Sequence, residues 1–183
     1  MNIVRLSVGA AVFLGAITSL VSAETFTVKK VIDGDTLQLS NGKTVQLIGI
    51  DAPENVANQK AKMFAKNSGK KVKDVIALGE RSAKFTKGLT EGKEVRLEYD
   101  VVTESKSGEL YAYVYEVSTY RGNKSVTAPE GVELANGNEV FLNATILKSG
   151  YATPLGVPPN VKYVQLFKEL SLDAIKNKRG LWK

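Results

Sequence analysis

The 183-residue chain contains no cysteine. No disulfide can form, so the folded state must depend on its apolar core, which a single domain of this size can supply. A lipid-anchored precursor is excluded as well, because lipid attachment at the cleavage site requires a cysteine there. The sequence shows no internal repeat either, and we interpret residues 24–183 as one domain.

Acidic side chains are absent from the first 23 residues, where Arg5 is the single charged group. The run from Leu6 to Val21 is largely apolar, and Val21-Ser22-Ala23 offers small residues at cleavage positions. We therefore expect a signal peptide over residues 1–23, a mature chain that begins at Glu24, and a secreted or periplasmic protein without stable membrane association. The alternative is an uncleaved membrane anchor, although the run is slightly short against the ~20 residues that a span needs.

The excess of basic residues is small. The formal net charge is +6, and loss of Arg5 with the leader leaves +5. Such a charge is compatible with polyanionic partners but does not establish them. A dense group of lysines has two interpretations, a solvated face that keeps the protein soluble or a groove edge that follows a phosphate backbone. Its members are Lys60, Lys62, Lys66, Lys70, Lys71 and Lys73.

The apolar pattern predicts five strands and several helices, which suits a small closed barrel. The strands are expected at Phe26–Val31, Thr36–Ser40, Lys43–Ile50, Val95–Tyr99 and Tyr111–Val117. Helical spacing is found at Leu78–Leu89, Val140–Lys148 and Tyr163–Ala174. Two segments are interpreted as insertions: a lysine-rich connection at about 55–77, and a polar excursion at about 118–138 that is either an extended hairpin or a mobile loop.

Four carboxylates flank one predicted hairpin. Asp33 and Asp35 precede its first strand, Asp51 and Glu54 follow its second, and Asn41-Gly42 supplies the turn. A hairpin this short brings its two ends together, so the four acids can converge on one patch. Like charges repel there, so the folded state needs a cation, and oxygen ligands favour Ca²⁺ or Mg²⁺. Taken singly, each acidic motif is also explained as an ordinary turn.

Several motifs in one order resemble the staphylococcal nuclease (thermonuclease) family, over nearly everything after residue 25. They are Ile32-Asp33-Gly34-Asp35-Thr36, Leu47-Ile48-Gly49-Ile50-Asp51-Ala52-Pro53-Glu54, Gly79-Glu80-Arg81-Ser82-Ala83, Val95-Arg96-Leu97-Glu98-Tyr99-Asp100, Leu110-Tyr111-Ala112-Tyr113-Val114-Tyr115, Leu147-Lys148-Ser149-Gly150-Tyr151-Ala152 and Lys178-Arg179-Gly180-Leu181-Trp182. The resemblance implies an α+β, mainly β fold, a five-stranded OB-fold barrel with flanking helices. It also implies calcium-dependent hydrolysis of phosphodiesters in DNA or RNA.

By motif position, the resemblance implies that Asp35, Asp51 and the main-chain carbonyl of Ala52 hold Ca²⁺ beside the scissile phosphate. The family has threonine where this chain has Ala52, but a main-chain ligand survives that change. Glu54 occupies the position of the residue that orients or deprotonates the attacking water. Asp33 matches an acid near the metal with a supporting role.

The two arginines with which the family holds the phosphate are replaced here by Gln46 and Glu109. Guanidinium groups bind phosphate through rigid paired donors, whereas glutamine donates one neutral hydrogen bond and a carboxylate repels phosphate. An arginine acting on a phosphoryl group is worth about 10³–10⁵ in rate, so loss of both should lower turnover by roughly 10⁴-fold or more. Lys106 alone remains of the phosphate-contacting set around Glu109, and we give Arg81 and Arg96 little weight as replacements.

Two functions follow from this mixture. The first is a secreted, thermonuclease-like phosphodiesterase with weak or lost activity on single-stranded DNA or RNA. The second is a non-catalytic OB-fold module that binds nucleic acid, another polyanion or a protein. In either case we expect a monomer.

Overall fold

The computed structural model describes residues 24–117, 135–136 and 139–183. The expected signal peptide and most of the segment 118–138 lie outside the described residues. Within them the chain forms nine strands, four α-helices and a final 3-10 turn. In chain order these are β1 (Thr25–Val31), β2 (Thr36–Leu39), β3 (Thr44–Leu47), β4 (Ile50–Asp51), α1 (Gln59–Ser68), α2 (Val72–Thr90), β5 (Glu94–Glu98), β6 (Leu110–Val117), β7 (Ala135–Asn136), β8 (Glu139–Phe141), α3 (Leu142–Lys148), β9 (Thr153–Pro154), α4 (Val164–Lys176) and the turn Gly180–Trp182.

Five of the strands close into a barrel. β1, β2 and β3 form an antiparallel meander, β1 also pairs with β5, and β5 pairs with β6. A parallel pairing of β3 with β6 completes the ring. The predicted five-stranded OB-fold barrel with flanking helices is therefore confirmed.

The strand expected at Lys43–Ile50 is divided in two. β3 ends at Leu47, and Gly49 adopts a φ of +84°, a left-handed conformation that glycine accepts most readily. A side chain there would also collide with Phe167, because a Cβ would lie 2.4 Å from the ring. After this turn, β4 leaves the barrel and pairs with β9. Asp51 ends β4, and the next residue, Ala52, is hydrogen-bonded to Asp35 just before β2.

The helix expected at Val140–Lys148 begins later than predicted. Residues Glu139–Phe141 form β8, which pairs with the end of β6, and α3 starts at Leu142. Within α3, Asn143 is fully buried and joins the barrel to the turn after β3, since it accepts from Val114 N at 2.9 Å and donates to Ile48 O at 2.8 Å. Such a paired buried amide fixes the two segments relative to each other.

The segment 55–77, predicted as a connection, contains helix α1 and the first part of α2. Asn58 caps α1 by accepting a hydrogen bond from Ala61 N at 2.8 Å, and Gly69 ends the helix with a φ of +68°. Its buried side chains, Ala61 and Ala65, pack with Val75 of α2 in a small second core. In the part of the chain that the structure describes, no helix is long and apolar enough to cross a membrane.

Candidate active site

The turn before β2 is held in place by α2. The backbone N–H of Asp35 donates to Asp33 Oδ1 at 3.1 Å, and Thr86 Oγ1 donates to Gly34 O at 2.8 Å. Gly34 fits this close approach because a Cβ would lie only 2.1 Å from Ser82 Oγ. Glycine at this position therefore lets α2 press the Asp33–Asp35 turn against the barrel.

Asp35 is almost completely buried, with 4% of its surface exposed. Its Oδ2 accepts a hydrogen bond from Ala52 N at 2.7 Å, and its Oδ1 accepts one from Thr36 Oγ1 at 3.3 Å. Burial raises the pKa of the Asp35 carboxyl well above its ordinary value, and the charge of Asp33 raises it further. The bond from Ala52 also fixes the segment that follows β4 against the start of β2.

The backbone of Glu54 packs directly on α2. Gly79 makes this possible, because a Cβ there would lie 2.3 Å from Glu54 O. The carboxylate of Glu54 accepts a hydrogen bond from Asn58 Nδ2, the same side chain that caps α1. Both the position of Glu54 and the direction of its side chain are therefore set by neighbouring helices.

Lys60, on the first turn of α1, reaches into the acidic group. Its Nζ lies 3.0 Å from Glu54 Oε1 and 3.8 Å from Asp51 Oδ1. Burial lowers the pKa of Lys60, but the hydrogen bond and charge of Glu54, with the charge of Asp51, give a net rise. The pKa of Asp51 is raised by burial; Lys60 opposes that rise, whereas the charges of Glu54 and Asp33 add to it.

Of the four carboxylates predicted to converge, Asp33 and Asp51 lie close enough to raise the pKa of Asp35, and Glu54 and Asp33 close enough to raise that of Asp51. Over the described residues, no three acidic side chains are grouped closely enough to hold a metal ion by themselves. The implied calcium site needs only two carboxylates together with the carbonyl of Ala52. These donors are all hard oxygens, the ligand type that a divalent cation such as calcium takes.

Gln46 and Glu109 face a cavity of about 350 Å³ beside Asp51, called here the first groove. Gln46 lies on β3, where its Oε1 is 3.4 Å from Thr36 Oγ1. The backbone of Glu109 is fixed by Ser105, to whose N–H it accepts at 2.8 Å and to whose hydroxyl it donates at 3.0 Å. The rest of the lining is largely apolar and includes Val102, Leu155, Val157, Pro158 and Pro159. One neutral amide, Gln46, and one carboxylate, Glu109, therefore border this groove at the two positions where the resemblance implies arginines.

The other basic candidates do not line the first groove. Lys106 is exposed in the turn before β6 and does not line the first groove. Arg96 forms a paired ion contact with Glu139, with both N–O distances 2.7 Å. Arg81 donates to Gly180 O at 2.8 Å.

Sequence reasoning missed the roles of Lys60 and Asn58. The sequence pattern predicts only that both belong to a lysine-rich connection, whereas in the structure they supply the contacts that hold Glu54. A usable signal was present: an Asn four residues after Glu54 can cap a helix and still reach back, and a lysine two residues later lies on the first turn of that helix.

A five-stranded OB-fold barrel with acidic side chains just before β2 and at the end of β4 defines a nuclease-like protein. The sequence profile described as Staphylococcal nuclease homologue matches residues 44–183, and the chain belongs to this family. The thermonuclease of Staphylococcus intermedius is 31% identical over 165 residues, which cover 88% of this chain and 78% of that protein. The thermonuclease of Staphylococcus hyicus is 29% identical over 173 residues, covering 93% and 82%. The SPbeta prophage-derived endonuclease YokF of Bacillus subtilis strain 168 is 27% identical over 161 residues, covering 85% and 43%.

Proposed function

We propose that this protein is a secreted, calcium-assisted phosphodiesterase of the thermonuclease type with low turnover on DNA or RNA. The observation that carries the proposal is that Glu109 lines the same groove as Asp51, one of the acids of the candidate active site. The names of the relatives, two thermonucleases and an endonuclease, supply the reaction class. The expected signal peptide, residues 1–23, is our reason for placing the protein outside the cytoplasm, and we propose a monomer.

Each residue then has a definite role. Glu54, held by Asn58 and Lys60, orients the attacking water and accepts its proton. Asp35, Asp51 and the carbonyl of Ala52 would hold Ca²⁺, which when bound supplies positive charge beside the phosphate.

The protein supplies little positive charge to stabilise the phosphate in the transition state. Gln46 offers the phosphate one neutral donor, and Glu109 opposes its approach. A five-coordinate phosphoryl transition state gains charge on its oxygens, so this exchange weakens stabilisation where it matters most.

Restoring the arginines tests the proposal. Single-stranded DNA is incubated with the purified protein and with the double variant Gln46→Arg/Glu109→Arg, in millimolar Ca²⁺ or in chelator. We expect slow Ca²⁺-dependent cleavage by the parent and a gain of at least 10³-fold confined to the double variant. Adding Glu54→Gln to the double variant is the matched control and should remove that gain. Fast cleavage by the unaltered protein, or no gain in the double variant, contradicts the proposal.

A second candidate function is a binding module without catalysis. The carboxylate of Glu109 in the first groove and the exposed lysines of α1 support it. This function predicts association with single-stranded DNA or RNA that weakens steeply as salt rises, with no cleavage in Ca²⁺ over many hours. Detectable Ca²⁺-dependent cleavage by the unaltered protein, lost in Glu54→Gln, decides for the enzyme.

A further inference from the structure

A second groove lies on the other side of the carboxylates. It has a volume of about 520 Å³ and lies between α1, α2 and the end of the chain. Its apolar lining includes Met63, Phe64 and Trp182, with exposed fractions of 56%, 41% and 37%. Side chains of this size are normally covered, so their joint exposure along one groove indicates a contact surface.

The two grooves meet at the candidate active site. Asp51 and Lys60 line both of them, and Glu54 lines the second. A phosphodiester carries a nucleoside on each side of its phosphate. A strand whose phosphate lies at Asp51 and Glu54 must therefore leave the site in two directions, and the grooves offer one path for each.

The second groove is lined by more basic side chains than the first. Lys70 and Arg81 line it together with Lys60. Arg81 donates to Gly180 O, which holds its guanidinium beside the turn that carries Trp182. Exposed aromatic rings next to cations are the combination with which proteins bind single strands, because every base has a face for stacking and every link has a phosphate.

We propose that the second groove is a subsite for single-stranded nucleic acid. A base stacks on the exposed ring of Trp182 or Phe64, and the adjoining phosphates lie next to Lys70 and Arg81. This inference rests on the nucleic-acid binding contained in the proposed function, and it adds where the strand lies and which residues hold it.

The protein carries its own reporter for this subsite, since Trp182 is the single tryptophan of the chain. The purified protein in chelator and low salt is titrated with a twelve-residue oligothymidylate, and tryptophan emission is recorded. Anisotropy of a dye-labelled copy of the same oligonucleotide measures total binding independently. We expect saturable quenching of Trp182 emission at the concentrations at which anisotropy rises.

Two variants with matched controls locate the contact. Phe64→Ala should weaken binding about tenfold because it removes a stacking surface, and Leu172→Ala, which shortens an exposed side chain on α4, should not. Lys70→Ala should weaken binding. It should also reduce the slope of log K against log salt concentration by roughly 0.7, because one phosphate contact is lost. Lys29→Ala, on the exposed side of β1, is its control.

The outcomes separate this inference from the proposed function. Binding by anisotropy with unchanged tryptophan emission, and with Lys70→Ala equal to Lys29→Ala, overturns the subsite and leaves nucleic-acid binding in place. No rise in anisotropy at low salt overturns both. Quenching together with selective weakening by Phe64→Ala and Lys70→Ala supports the subsite.

Discussion

Lys60 Nζ lies 3.0 Å from Glu54 Oε1 and so places an ammonium group among the carboxylates proposed to act on a phosphodiester. The lysine side chain is 64% exposed, whereas that of Glu54 is only 15% exposed. The charge is therefore brought from the surface toward a largely buried acid. In the absence of metal it offsets part of the repulsion between Asp51 and Glu54.

Lys60→Gln should strengthen Ca²⁺ binding two- to fivefold, because it removes a positive charge that competes with the ion. An exposed ion pair is worth about 0.2–1 kcal/mol, which limits the effect to that size. Calorimetric titration with Ca²⁺ measures it, with Lys62→Gln, a lysine on the same helix, as the control. Equal affinities in the two variants would show that Lys60 does not oppose the metal.

Asp35→Asn should raise the thermal midpoint of the metal-free protein at neutral pH. Burial and the charge of Asp33 disfavour the ionised form of Asp35. An asparagine carries no charge and can still accept the hydrogen bond from Ala52 N. The same change should abolish any rise in the midpoint caused by Ca²⁺, because a bound ligand stabilises only the state that binds it. Melting curves in chelator and in Ca²⁺ test both effects, and retention of the Ca²⁺-dependent rise would exclude Asp35 as a ligand.

Gly79→Ala should destabilise the protein, although alanine is the better helix former. A Cβ at Gly79 meets the Glu54 backbone at 2.3 Å, and overpacking of that kind costs about 1–3 kcal/mol. Gly88→Ala on the same helix is the matched control, since a Cβ there has no neighbour within 4 Å. That change should stabilise by about 0.5–1 kcal/mol. Urea unfolding of both variants measures the difference, and a gain in stability for Gly79→Ala would refute the close approach.

Glu139→Gln should cost about 1 kcal/mol at neutral pH, because it breaks the paired contact with Arg96. The hydrogen bond from Arg96 lowers the pKa of Glu139 below its ordinary value of 4.5. The stability from this contact is therefore present above pH 4.5 and is lost as the pH falls through the lower pKa of the folded state. Unfolding curves at neutral and acid pH should show the difference vanish, whereas Glu94→Gln, an exposed acid on β5, should show little difference at either pH.

The sequence was sufficient for the barrel because its strands alternate and its motifs keep their order. Strand β8 was missed because three residues, Glu139–Phe141, carry too little periodicity to be recognised, and pairing with β6 decides their conformation. The division after Leu47 was missed because an apolar run does not show which partner each residue takes. Gly49 marks the division, and its reason, the ring of Phe167, lies more than a hundred residues away.

The acids of the candidate site were predictable because a hairpin brings its own ends together. The sequence did not show which of the six nearby lysines contacts Glu54; in the structure it is Lys60. That choice depends on where α1 begins, and the capping contact of Asn58 with Ala61 determines the start. A change of one residue in the start would turn Lys60 by about 100° around the helix axis and move it away from Glu54.

The side-chain amide of Asn58 makes two contacts. Its oxygen caps α1 by accepting from Ala61 N, and its nitrogen donates to the carboxylate of Glu54. The start of α1 and the orientation of the Glu54 carboxylate therefore depend on the same side chain. Fraying of the first turn of α1, whether by heat, denaturant or a competing partner, would remove the contacts of Asn58 and Lys60 with the Glu54 carboxylate even where the barrel stays folded.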